Sequence, residues 1–449
     1  MYSPLYIRNA LKPSFQLFVF VIIAVLVSSV SAEDKPVVSP FDGEFESDVV
    51  VTRKVEPDPK TGQLPPPEEL LPELPDRIKP HRQIELPPGT TSLMRAALRG
   101  DLKAIDEELD NGAAINDQDP QGNTALAHAA ATGQLTAVER LLDRGASIDL
   151  AENFGATPLM QAISVGSIEG ARLLIKRGAN VNARLTKSGT SALMIAAWHG
   201  QLDIAKLLLD KGAKLEGVNR GRVNALMTAV ERGHADMATY LIARGAKIDV
   251  RNRLGMTALH LAAGEDNATL TKLLLEKGAE VDSRDIRGAT PAMRASMKGA
   301  VSALLALLNA GADPNAFSKN GTSPLIMAAS NGEVEAVELL LKRGAAVNNA
   351  NNELGATPLL WSIGSNHLTT SQVLLKNKAD PSLADKQGRT PLMLAADRGD
   401  VTAIQLLLDH GADLQQADSA GRKAIDWAMD KKHQAVVDVL QKKMNKLIK

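Results

Sequence analysis

Eight histidines are the side chains of this chain whose ordinary pKa lies nearest neutrality. They are His81, His128, His199, His234, His260, His367, His410 and His433. Acid–base or metal chemistry would have to start from them, because the 449 residues include no cysteine. Without a thiol there is no disulfide, no thiolate nucleophile and no thiolate metal ligand. The histidines look scattered. None stands with a nucleophile and a carboxylate at a recognisable triad spacing. No group of His, Asp and Glu has metal-ligand spacing. No glycine-rich loop follows a strand, so the 34 glycines do not form a phosphate cradle. The expectation is a non-enzymatic protein with no catalytic residue, no metal and no cofactor. A net charge of −1 with 23% charged residues gives no global sign of nucleic-acid binding.

What positions these residues is a repeat. Leu93, Leu126, Leu159, Leu193, Leu226, Leu259, Leu325, Leu359 and Leu392 fall on one register, with Ala292 and Ile425 in its two remaining slots. The steps are 33 residues, apart from two of 34. A fixed period of this length marks units that cannot bury a core alone and must stack. Four residues before the register stands a glycine in ten of eleven units, with Arg222 the exception. Thr-Pro or Ser-Pro pairs such as Thr157-Pro158 and Thr390-Pro391 follow, which suits an N-cap and first turn. A second glycine, such as Gly133, breaks the first helix. A second helix then ends at Arg144-Gly145-Ala146 and its equivalents, where glycine fits a left-handed C-terminal cap. Polar segments such as Asn180-Val181-Asn182-Ala183 read as extended. Three residues past the register stands alanine in every unit but the ninth, which has Ser362. A small residue there lets neighbouring first helices approach closely. Aromatic residues make up only 3%, so the core must be aliphatic and rich in alanine. Asp266 and Asn366 replace the inter-helix glycine and tolerate left-handed geometry better than most residues, while Lys378 replaces the cap glycine of a second helix.

The N-terminus addresses localisation. Arg8 and Lys12 precede an apolar run over 17–27, then Ser28, Ser29, Val30, Ser31 and Ala32. This order reads as a secretory signal peptide cut after Ala32, with an uncleaved membrane anchor as the alternative. Residues 33–88 hold 12 of the 22 prolines and 13 acidic against 7 basic residues. Such a segment is expected to be disordered, an extended spacer before the repeats.

The repeat pattern resembles the ankyrin repeat family, most closely at Thr257-Ala258-Leu259-His260-Leu261-Ala262-Ala263 and Thr390-Pro391-Leu392-Met393-Leu394-Ala395-Ala396. The resemblance implies an all-α solenoid of about eleven helix-turn-helix units over 89–447, with short extended finger loops. It implies protein binding in a concave groove lined by finger tips and first-helix ends. His260, at a consensus position, is expected to serve turn hydrogen bonding. Carried over position by position, the groove of repeats three to seven concentrates Phe154, Val165, Trp198, Val223, Leu254, Met256 and Met297 beside His199, Arg220, Arg232, Arg253 and Arg287. Aromatic, Met and Arg residues are enriched at interfaces. Trp361 and Trp427 fall at packing positions. The expected partner is another exported protein, with no nucleic acid, and with membrane contact only through an uncleaved signal. The chain is expected to be a periplasmic, monomeric scaffold or accessory factor of a bacterial envelope. A secreted effector or inhibitor is the alternative.

Overall fold

A computed structural model describes residues 89–447. The expected signal peptide (1–32) and Pro-rich linker (33–88) lie outside the described residues. Within 89–447 there are 22 helices in eleven pairs. First helices span seven or eight residues and second helices nine, except the last, Gln434–Leu447, with 14. The expected all-α solenoid is what forms.

The local signals act as read. Thr91, Thr124, Thr157, Ser191, Thr290, Ser323, Thr357 and Thr390 cap first helices. Each side-chain oxygen accepts from the backbone N–H three residues on, at 3.2–3.4 Å. In repeat five the cap is Asn224, which the Thr/Ser pattern does not reveal; its Oδ1 accepts from Met227 N–H at 2.9 Å. Second helices end on glycine with φ of 85–95° at Gly145, Gly178, Gly212, Gly245 and Gly344. Beyond Gly145, the Ala146 N–H donates to Leu141 O at 2.9 Å and closes the cap. Arg222, Asp266, Asn366 and Lys378 take positive φ, at 60°, 51°, 66° and 69°, and Lys432 joins them at 62°.

Stacking is built from three rows. The first is the alanine row: Ala96, Ala129, Ala162, Ala196, Ala229, Ala262, Ala295, Ala328, Ala395 and Ala428 are at most 1% exposed, between adjoining first helices. Ser362 is equally buried, and its hydroxyl is satisfied by Leu359 O at 3.0 Å and Ser371 Oγ at 2.7 Å. The second row joins finger tips. Nine backbone bonds of 2.7–3.1 Å run from one tip's N–H to the C=O of the tip before, from Asn153 to Gln121 through Ser419 to Gln387. Pro120, at the donor position of repeat two, has no N–H to give.

The third row corrects the sequence reading. The segment Asn180-Val181-Asn182-Ala183 is a turn, closed by Ala183 N–H to Asn180 O at 3.2 Å, and not extended chain. The turn frees Asn182 to reach the next repeat, where its Oδ1 accepts from Lys214 N–H at 2.9 Å and its amide donates to Gly212 O at 3.0 Å. Asn116, Asp149 and Asn315 accept in the same way from Ser147, Asn180 and Ala346 N–H, each at 2.8 Å.

Three of the histidines are not scattered either. His234, His367 and His433 share one register position at the start of second helices. Their Nε2 atoms bond Trp198 O, Ser330 O and Asp397 O of the preceding repeat at 3.0–3.2 Å. Each ring lies over the preceding inter-helix glycine: a Cβ on Gly200, Gly332 or Gly399 would come within 2.5–2.7 Å of the imidazole. His260 is buried in its turn as expected. Its Nδ1 accepts from Thr257 N–H at 3.2 Å and its Nε2–H donates to Ala289 O at 3.1 Å. Burial holds its pKa below the ordinary value, against the opposing bond to Ala289.

These contacts and turns generate four predictions. Ala262→Leu forces helices apart and costs ~1–3 kcal/mol, read as a lower denaturation midpoint. Arg222→Gly relieves left-handed strain and raises stability by ~0.5–1 kcal/mol. Gly255→Ala does the opposite, since φ is +74° and its Cβ would stand 2.7 Å from Ile286 N. The fourth concerns pH. The unfolded chain protonates His260 near 6.5 while the folded chain resists, so the stability present above that value is lost as pH falls below it toward the lowered folded pKa. Unfolding measured between about pH 7.5 and 5.5 should show a shallower decline for His260→Gln than for the parent.

Candidate binding surface

The candidate surface lies where first helices end beside the fingers. In repeats four and five, the first helices Ala192–Trp198 and Ala225–Glu231 and the fingers before them enclose a recess of about 290 Å³. Met194, Ile195, Trp198, Val223, Thr228 and Glu231 line it. Trp198 follows because its helix stops at His199, leaving the indole 37% exposed at the rim. Arg232, the C-cap of the next first helix, lays its guanidinium 4.2 Å from the centre of the Trp198 ring. The cation and the indole therefore present one composite face, held from behind by His234 on Trp198 O. His199 is exposed beside them. Desolvation of its ring lowers its pKa, and the charges of Arg232 and His234 lower it further.

The sequence-derived residues divide into three groups. Trp198, His199, Val223 and Arg232 come together around the recess. Phe154, Arg220, Arg253, Leu254 and Arg287 stand on finger tips, where Lys187 Nζ lies 5.0 Å from the Phe154 ring centre. Val165 and Met297 are half-buried at first-helix ends. Met256 is a correction: expected as an exposed anchor, it is 8% exposed and belongs to the core. Its position, just before the N-cap, turns the finger back onto the stack, and Ala156 and Val223 at the same position also pack against the core.

Sequence reasoning missed Ile195, Thr228 and Ile286. Ile195 and Thr228 look like ordinary helix positions until the recess between neighbouring repeats is seen. Ile286 is 52% exposed on a tip, and an isoleucine where other repeats carry Lys187, Arg220, Arg253 or Lys319 was a readable signal. Trp427 packs against the core as expected. Its Nε1 donates to Asp418 Oδ2 at 3.1 Å, and Arg422 lies 4.4 Å from the ring centre. Trp361 is half-buried, its Nε1 without a partner.

Chemically, this surface offers shape, apolar area and cations. His128 does meet a carboxylate, Asp119 Oδ2 at 2.9 Å, but that carboxylate also accepts the N–H groups of Gln121 and Asn123 and serves the finger turn. Among the described residues no group of three or more His, Asp or Glu could hold a metal ion, and no helix is long and apolar enough to cross a membrane.

A comparison with curated proteins finds no match. Among solved structures, the chain is similar to the crystal structure of the human ASB11 ankyrin repeat domain. Identity is 27%, over 48% of this chain and 96% of that one, with a TM-score of 0.45. The family model for ankyrin repeats (3 copies) matches residues 93–185, 148–219, 184–252, 226–318, 292–385 and 372–449. With those matches running unbroken over 93–449, and with turn, helix, turn and helix repeating beneath them, the chain belongs to the ankyrin repeat family.

Proposed function

We propose that this protein is a non-enzymatic scaffold or accessory factor of a bacterial cell envelope, gripping another exported protein in the groove of repeats three to seven. Ankyrin repeats in general are protein–protein interaction modules, and the family is typically non-enzymatic. The observation that carries the finer reading is the Trp198 recess. Its 290 Å³ would take one or two aliphatic side chains, and its rim carries an exposed indole already stacked by Arg232. Tryptophan and arginine beside a desolvated pocket are the residue types that dominate binding energy at interfaces. The envelope location rests on the order of charge, apolar run and small residues over 1–32.

The test is a pull-down from an envelope fraction with the full chain and with a Trp198→Ala, Arg232→Ala double variant. The captured partner should bind the variant at least ~30-fold more weakly, the loss expected for a pair costing about 2 kcal/mol. Unchanged capture by a folded variant would sink the groove assignment. Fractionation should find the protein in the periplasm; accumulation in the culture medium would overturn the envelope location.

A further inference from the structure

We propose that the finger tips of repeats four to eight receive an extended acidic segment of the partner protein, apolar at its centre. This rests on the groove reading above and names the partner's chemistry. Lys187, Arg220, Arg253, Arg287 and Lys319 stand exposed on five successive tips. Among the described residues none of the five has a carboxylate partner; Lys187 is engaged only over the Phe154 ring. Arginines of the second helices behave differently. Arg144 pairs with Asp110 at 2.5 Å, Arg177 with Asp143 at 2.6 Å and Arg244 with Asp210 at 3.0 Å, each across a repeat boundary. The tip cations are thus a row of unneutralised charge on a hydrogen-bonded backbone, an arrangement that attracts an anionic partner. The run ends at Glu353 on the tip of repeat nine.

The middle of the run is apolar. The bond from Ile286 N–H to Leu254 O, 3.0 Å, joins the tips of repeats six and seven. Leu254 and Ile286 beside it are 54% and 52% exposed, more than any other large apolar side chain among the described residues. Two such side chains on adjoining tips, framed by cations on both sides, form a patch of the kind a partner covers.

Spacing narrows the partner further. Each tip is a hydrogen-bonded turn carried by one repeat, so successive tips follow the repeat spacing of roughly 10 Å. An extended chain rises ~3.3 Å per residue, so about every third side chain meets a new tip. The order of three cations, an apolar pair and two cations therefore matches a segment with carboxylates near every third position on both sides of an apolar centre. A nucleic-acid backbone fits poorly, since a duplex carries one charge per ~3.4 Å of each strand, about three per tip.

The experiment measures fluorescence anisotropy of the full chain with a labelled peptide of roughly 16 residues, carrying Glu at every third position and two central leucines. Comparators are a peptide of the same composition with its glutamates gathered at one end, and a single-stranded oligothymidylate of similar extended length. The periodic peptide should bind at least about tenfold tighter than the rearranged one. Arg220→Glu with Arg253→Glu, folded by circular dichroism, should abolish that preference, and a peptide with Lys at the two facing positions should restore it. Equal affinity for the two peptides, no binding of either, or tighter binding of the oligothymidylate each overturn the proposal. The two readings fail separately. If the peptide preference is absent while partner capture still depends on Trp198 and Arg232, the acidic segment is wrong and the groove stands. If the preference holds while capture ignores those residues, the groove assignment falls.

Discussion

Close contact between neighbouring first helices is the constraint on which the rest of this structure depends. Alanine at the contact in ten repeats, and Ser362 in the other, sets how near one unit can come to the next. That distance puts the finger tips within reach of one another, so that nine backbone bonds can form between them. It also brings polar side chains of the inter-repeat turns, Asn or Asp in most and Glu216 and Ser382 in two, onto the next backbone. A bulkier residue at the contact would lengthen all three rows together. Their geometry is shared, although each row uses different chemistry.

Much of the fold was legible because its signals are local. A Thr or Ser oxygen capping the N–H three residues on, or a glycine ending a helix at positive φ, needs no knowledge of what lies across the repeat boundary. Two of the departures could also be read: Asp266 and Asn366 take the left-handed backbone of the glycines they replace, because the turn demands it. What could not be read spans two repeats. The Asn182 turn looked extended because polar residues without apolar periodicity carry no sign of curvature; its closure serves a bond to Lys214, 32 residues on. His234, His367 and His433 looked unrelated because their common partner is a carbonyl 36 or 37 residues behind.

The candidate surface divides along the same line. Exposed tip residues such as Arg220, Arg253 and Leu254 were recognisable once the repeat was subtracted, since the consensus leaves those positions free. Met256 was misassigned because the chain reverses between Leu254 and Thr257, taking two residues from water to core. The recess beside Trp198 was invisible for another reason. Half of its wall, Val223, Thr228 and Glu231, comes from the following repeat, and cation–ring stacking with Arg232 is settled by side-chain placement across that boundary. Ile286 shows a milder failure: its exposure follows from its register, but pairing with Leu254 follows from the bond between their tips.

By itself, the sequence determined the number of repeats, the two helices in each, their caps and the row of small residues that lets them stack. It could do so because helix starts, helix stops and apolar spacing act within a few residues of one another. Only the tertiary structure decided which side chains meet across a repeat boundary. Residues about 33 positions apart in the chain have no local term linking them. Their pairing into recess, cation row and hydrogen-bonded tips depends on the stacking distance and on the close packing that holds it.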